Sequence, residues 1–312
     1  MAMSLLKEGK SLGLESVGLT GGEPFLRLEK LTELVIFCRN KLGVAVHVHT
    51  NRTKISRDEA SWLEREKVEV SISMFGSDPR THDAITNTEG SMKSTLRGLK
   101  NLVDVNAKLT VFVVPMRSNF EEIPSLIEMI RAERVRDVRI LILAPTGRAL
   151  SRFGEIELTG DERMRLGKEL GKLRRKRDVH LRAGFCTRHD FPDLEGLNGH
   201  ERCYAARNRV HIDAFGNVYP CTASSGRKVF SAGNVQLTSG ALTEIWRFSP
   251  LLQFFRAYHS NPTKRCQSCI KFGDCMSGCR VQMSYRYGDA TIADPQCGGP
   301  YSATAIAGQT AG

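Results

Sequence analysis

Residues 266–279 read CQSCIKFGDCMSGC, a C-x2-C-x5-C-x3-C run that sets Cys266, Cys269, Cys275 and Cys279 within fourteen residues. Upstream stand Cys203, Gly216 and Cys221, spaced C-x12-G-x4-C, and downstream stands Cys297, so seven of the nine cysteines share one C-terminal array. Thiolates are soft ligands for zinc or iron–sulfur clusters, and short loops between them let several sulfurs converge on one centre. A disulfide framework is the alternative. Nothing at the N-terminus reads as a secretory signal, because residues 1–10 carry Glu8 and no long apolar core. Cys38 falls in LEKLTELVIFCRNKL, where Leu28, Leu31, Leu34, Val35, Cys38 and Leu42 recur at helical spacing, and is expected in the core. Cys186, in AGFCTRHDF, has no apolar periodicity around it and is free to act as an eighth ligand. Eight cysteines complete two four-cysteine sites, and ligand count alone fits two zinc ions or two iron–sulfur clusters.

The remaining sequence arbitrates. At 312 residues the chain holds one large domain and a smaller one. No apolar run approaches a membrane span, and a cytoplasmic location is expected. The net charge of +11 is spread out except for LRRKR at 173–177, which reads as a solvated helix face without interleaved aromatics, so nucleic acid is not an expected partner.

From about Leu14 to Leu143 strand-like and helix-like segments alternate, the signature of a parallel sheet with crossover helices. Five strands are predicted: ESVGLT (15–20), VAVHVH (44–49), VEVSISM (68–74), KLTVFVVP (108–115) and VRILIL (138–143). Val17, Leu19, Val44, Val46, Val48, Val70, Ile72, Ile140 and Ile142 would face the helices. Gly18, Thr20, His47, His49, Ser71 and Ser73 would face the other way. Polar residues near the C-terminal ends of parallel strands point to a binding site at a barrel mouth. His47 and His49 share a face and read as a hydrogen-bonded pair lining the barrel rather than as a metal pair.

The first strand ends in LTGGEPFLR (19–27), followed by HTN at 49–51, SISMFG at 71–76, HDAIT at 82–86 and then the cysteine array. This combination resembles the radical S-adenosylmethionine (radical SAM) superfamily, in particular members with a C-terminal SPASM extension, from about residue 10 to Cys297. The resemblance implies an α/β fold: a partial parallel (β/α) barrel lacking its first strand over residues 1–158, a bridging helix at 159–178, a cysteine-rich SPASM domain at 179–297 and a disordered tail at 298–312. Thr159 and Glu162 would form a capping box on the bridging helix. The resemblance assigns Gly21, Gly22 and Glu23 to the methionine amino group of SAM, Ser73 to its ribose and the backbone near Leu143 to its adenine. Asn51 falls in a TNG motif that here reads TNR, and Thr86 stands where some relatives carry an arginine for the SAM carboxylate. It further assigns Cys266, Cys269, Cys275 and Cys297 to one auxiliary 4Fe-4S cluster. Cys203, Cys221 and Cys279 fall to a second, with Cys186 as the candidate fourth ligand.

Two departures matter. Cys221 is followed by Thr222, not by the catalytic aspartate of sulfatase-maturing relatives. The C-x3-C-x2-C motif that holds the SAM-cleaving 4Fe-4S cluster does not precede GGEP in these residues. The expectation is therefore an N-terminally truncated radical SAM/SPASM enzyme. Its full form would use a 5'-deoxyadenosyl radical on a peptide or a tetrapyrrole-type cofactor precursor, with a flavodoxin or ferredoxin as electron donor. The polypeptide itself is not expected to cleave SAM. The alternative is a non-catalytic electron-transfer or peptide-binding scaffold.

Overall fold

The computed structural model describes residues 2–51, 55–174, 180–183, 203–236, 238–258, 260–270 and 272–295. Cys186, Cys297 and the tail at 298–312 lie outside the described residues. The chain divides into two compact units, residues 1–143 with 156–182, and residues 144–155 with 183–312.

The first unit alternates helix and strand. Helix α1 (Ala2–Ser11) precedes β1 (Ser16–Leu19), α2 (Leu28–Ile36), β2 (Ala45–Thr50), α3 (Arg57–Arg65) and β3 (Glu69–Met74). Then follow α4 (Pro79–Thr86), α5 (Ser91–Asp104), β4 (Leu109–Val113), α6 (Ile123–Ala132) and β5 (Asp137–Ile140). After the short helix α7 (Phe153–Ile156), most of which belongs to the second unit, helix α8 (Gly160–Arg174) and strand β6 (His180–Ala183) complete the series. The sheet order is β1-β2-β3-β4-β5-β6, and β1 through β5 pair parallel. The five expected strands are present. The sixth was not foreseen, because four residues behind a basic run give too little alternation to read.

Side-chain alternation explains the layers. In β2 Val46 and Val48 are fully buried, as are Val70 and Ile72 of β3, Val111 and Val113 of β4, and Val138 and Ile140 of β5. Helix residues such as Leu31, Leu63, Leu99, Leu102 and Ile130 are buried as well. Cys38 is also fully buried, and burial raises its thiol pKa. Removing an aliphatic side chain of this kind costs about 2–5 kcal/mol. The helix expected as a bridge, α8, belongs to the first compact unit. It begins in a capping box in which Thr159 N donates to Glu162 Oε2 at 2.7 Å and Glu162 N to Thr159 Oγ1 at 3.2 Å.

The second unit holds an antiparallel three-stranded sheet of β7 (His211–Ile212), β8 (Asn217–Tyr219) and β9 (Gly233–Asn234). Helices α9 (Ala241–Phe248), α10 (Pro250–Tyr258), α11 (Phe272–Cys275) and α12 (Arg280–Tyr287) follow. Its core gathers Ala205, Ala206, Tyr219, Phe230, Leu252, Phe255 and Val281.

Candidate functional site

Because β1–β5 run parallel, the loops after them open on one edge of the sheet, the position where such folds bind ligands. Gly21 and Gly22 turn the chain after β1 with φ of 95° and 52°. A Cβ at either would meet nothing within 4 Å, so glycine is required there by the left-handed backbone and not by crowding. The turn delivers Glu23, whose Oε1 accepts from Thr50 Oγ1 at 2.5 Å and Phe25 N at 3.1 Å, and whose Oε2 accepts from Asn51 N at 2.7 Å. A carboxylate offers about four lone-pair sites, so the fixed Glu23 retains capacity for a ligand cation. Asn51 is thus held by its backbone amide, while its carbonyl accepts from Thr95 Oγ1 of α5 at 3.3 Å.

The end of β3 is built with equal care. Half-buried Ser73 lies opposite Phe112 of β4. Just beyond it Phe75 N donates to Nδ1 of the buried His82 at 3.3 Å, and Phe75 O accepts from Asn119 Nδ2 at 2.8 Å. Burial lowers the pKa of His82, with Asp83 opposing, so the ring is held neutral as an acceptor. Glu122 Oε2 accepts from the amides of Ser77 and Asp78 at 3.0 Å each, and its Oε1 accepts from Thr81 Oγ1. Gly76 lies so close that a Cβ would sit 2.9 Å from both Glu122 Oε2 and Thr81. Sequence reasoning missed Glu122, which lies 45 residues from Ser77. Leu143 is half-buried beyond β5, where Leu141 N donates to Val113 O at 2.8 Å.

Thr86 closes α4, where its hydroxyl bonds Ser91 Oγ at 2.7 Å and the carbonyls of His82 and Asp83 at 3.1 Å. The Asp83 carboxylate receives Ser91 Oγ, Met92 N and Gly90 N at 2.8, 2.8 and 2.6 Å, and these bonds lower its pKa. The sheet face opposite the helices is polar. His47 Nδ1 meets Glu69 Oε2 at 2.8 Å, Lys108 reaches the other Glu69 oxygen, and His49 packs its ring 5.5 Å from Phe112. The cross-strand partner of His47 is therefore a carboxylate.

In the second unit, Gly216 occupies the turn between β7 and β8 with φ of 80°, and a Cβ there would lie 2.7 Å from Gln236 Cγ. Asp213 fastens the turn by accepting from Phe215 N and Asn217 N at 2.9 Å each. The C-x12-G-x4-C spacing thereby becomes geometry: the hairpin returns Cys221 to Cys203, and Ala206 N donates to Pro220 O at 3.1 Å. Cys203, Cys221 and Cys279 all pack against the same apolar core. Burial, reinforced by each other's charge, pushes Cys203 up to about 12 and raises Cys221. Burial of Cys203 and Cys221 disfavours their thiolates on their own and suits a cationic iron centre that stabilises them, so the donor set with Cys279 fits a cluster.

Cys266 and Cys269 lie one turn apart, with Cys269 N donating to Cys266 O at 3.1 Å, and Cys275 closes α11. Met276, Ser277 and Gly278 all take positive φ (51°, 62° and 94°), leading the chain to Cys279, the N-cap of α12. Asp294 N donates to Ser277 O at 3.1 Å, bringing the segment that leads to Cys297 onto this loop.

Residues 1–130 match the radical SAM superfamily, and residues 203–270 match SPASM, described as an iron-sulfur cluster-binding domain. The AdoMet-dependent heme synthase of Nitratidesulfovibrio vulgaris is 26% identical, over 95% of this chain and 82% of its own length. The mycofactocin maturase MftC of Mycobacterium tuberculosis is 29% identical, over 93% of this chain and 72% of its own. Two solved structures share the fold. SuiB of Streptococcus suis, bound to its precursor peptide SuiA, has a TM-score of 0.73 at 20% identity, covering 95% of this chain and 68% of that one. Native anSMEcpe with bound AdoMet has a TM-score of 0.70 at 18% identity, covering 94% and 83%. Both domains imply 4Fe-4S clusters and SAM as cofactors. On these matches residues 1–130 are similar to the radical SAM superfamily and residues 203–270 to the SPASM iron–sulfur cluster-binding domain.

Proposed function

We propose that the chain is the body of an enzyme that modifies a peptide or a tetrapyrrole-type cofactor precursor, and that it holds two auxiliary 4Fe-4S clusters. The observation that carries this reading is the grouping of Cys203, Cys221 and Cys279 about one buried core, apart in sequence and together in space. Cys186 is the proposed fourth ligand there, and Cys266, Cys269, Cys275 and Cys297 the proposed second set. Bound clusters supply single-electron transfer, and SAM supplies a hydrogen-abstracting radical when reduced. The chain's own part is to orient SAM, with Gly21 and Gly22 exposing backbone, Glu23 and the end of β2 receiving its ammonium, Ser73 its ribose and the backbone at Leu143 its adenine. A flavodoxin or ferredoxin is the proposed electron donor. The relatives' own chemistry, a heme synthase and a peptide-binding SuiB, supports both substrate classes.

A second reading, a non-catalytic electron-transfer or scaffold protein, draws on the Thr86 hydroxyl, which is already engaged by Ser91 of α5 and by the carbonyls of His82 and Asp83. One experiment separates the readings. The 312-residue polypeptide is reconstituted anaerobically with iron and sulfide, and its iron, sulfide and 5'-deoxyadenosine production with dithionite are measured. About eight iron atoms with matching sulfide are expected, with no 5'-deoxyadenosine from this polypeptide. A version extended by an in-frame C-x3-C-x2-C segment from the native locus should produce it. Failure of that extended version favours the scaffold reading, and about two zinc ions without sulfide overturn both.

A further inference from the structure

Arg280 is only 4% exposed, and its placement runs against two ordinary preferences. A guanidinium buried away from water loses solvation, and burial works against its charge here. It is also the first residue of α12, the end of a helix that favours anions over cations. The side chain is nevertheless fully used. Nη1 donates to Ala290 O at 2.9 Å and Ile292 O at 2.5 Å. Nη2 donates to Ser277 O and to Gly278 O at 3.2 Å, and Nε to Gly278 O at 3.3 Å. Its plane lies 4.0 Å over the ring of Tyr258, whose hydroxyl donates to Thr291 O at 2.8 Å. The acceptors come from the Cys275–Cys279 loop and from the segment preceding Cys297, so the cation is held by the stretches that carry cysteines of both proposed groups.

The charge lies beside the thiols as well. Arg280 directly follows Cys279 in the chain, and its guanidinium sits on the carbonyls of Ser277 and Gly278, between Cys275 and Cys279. A cluster with thiolate ligands carries net negative charge that grows on reduction, and nearby charge sets its potential. A fixed cation among the ligands therefore favours the reduced state.

We propose that Arg280 is a positioning residue shared by the two cysteine groups, whose charge raises the reduction potentials of the clusters they hold. This rests on the reading that both groups bind iron–sulfur clusters. The test compares the reconstituted wild-type polypeptide with Arg280→Gln and Arg280→Lys by iron and sulfide content and by a redox titration followed by electron paramagnetic resonance. The expected result is that Arg280→Gln keeps its iron with both transitions shifted to more negative potential, and Arg280→Lys, which keeps the charge without the planar fork, stays near wild type. Iron lost in Arg280→Gln and regained in Arg280→Lys supports the same role. Unchanged potentials in Arg280→Gln with iron intact, or iron lost in both variants, overturn it. A wild-type polypeptide without iron and sulfide would instead defeat the cluster reading itself.

Discussion

Glu23 Oε2 accepts the backbone amide of Asn51 at 2.7 Å, so the acidic residue in the turn after β1 is fastened to the end of β2. Its other oxygen takes the Thr50 hydroxyl, and the three groups form a single rigid lip at the edge of the sheet. Glu23→Ala should cost about 1–2 kcal/mol of stability, the usual range for losing charge-assisted bonds at a partly exposed site. Urea unfolding measures it, and a loss indistinguishable from zero would show that water replaces the carboxylate without penalty.

Glu122 fixes the loop after β3 through the amides of Ser77 and Asp78 and the Thr81 hydroxyl. Glu122→Ala leaves those donors without their acceptor and should destabilise the first unit by about 2 kcal/mol. Hydrogen exchange of the Ser77 and Asp78 amides reads the effect locally. Unaltered protection there would mean that the latch is dispensable.

The two proposed ligand groups should empty independently. Cys269→Ala is expected to lose about four of the iron atoms and leave the remainder, and Cys221→Ala to do the same for the other set. Full iron retention by either variant contradicts the assignment of that cysteine.

His82 makes stability pH-dependent. Its folded-state pKa lies below the ordinary 6.5, chiefly through burial, so the unfolded chain binds the proton more readily. Its contribution is fully present above about pH 6.5 and is lost as the pH falls toward the folded-state value. His82→Leu should lower stability at pH 7.5 by about 1 kcal/mol through the lost acceptor for Phe75 N, yet lose less on going to pH 5.5 than wild type does. Denaturant titrations at the two pH values decide it, and parallel losses would assign the slope to other groups.

Much of the first unit was written in local pattern. Alternating valines and isoleucines marked β1–β5 and the buried face of β2, β3 and β5, although Val17 and Leu19 of β1 are only half-buried, and Thr159 with Glu162 marked the start of α8, because both depend on residues within a few positions of one another. Strand β6 escaped notice because His180–Ala183 is short and follows a basic run. Likewise, the compact units place α8 with the sheet, a matter of packing that periodicity does not report.

The sequence by itself determined the chemistry available: seven cysteines in a spacing suited to iron and sulfur, a glycine pair before Glu23, and strands able to form a parallel sheet. Cysteine spacing is informative because loop length limits which sulfurs converge. Tertiary structure alone decided which partners those groups meet. The pairing of His47 with Glu69, the commitment of the Thr86 hydroxyl to Ser91 and the reach of Glu122 to Ser77 depend on strand register and helix packing. So does the seating of Arg280 among carbonyls from residues 277 to 292. Such contacts bring distant residues together only after the hydrophobic layers have fixed the backbone, and no short-range pattern encodes them.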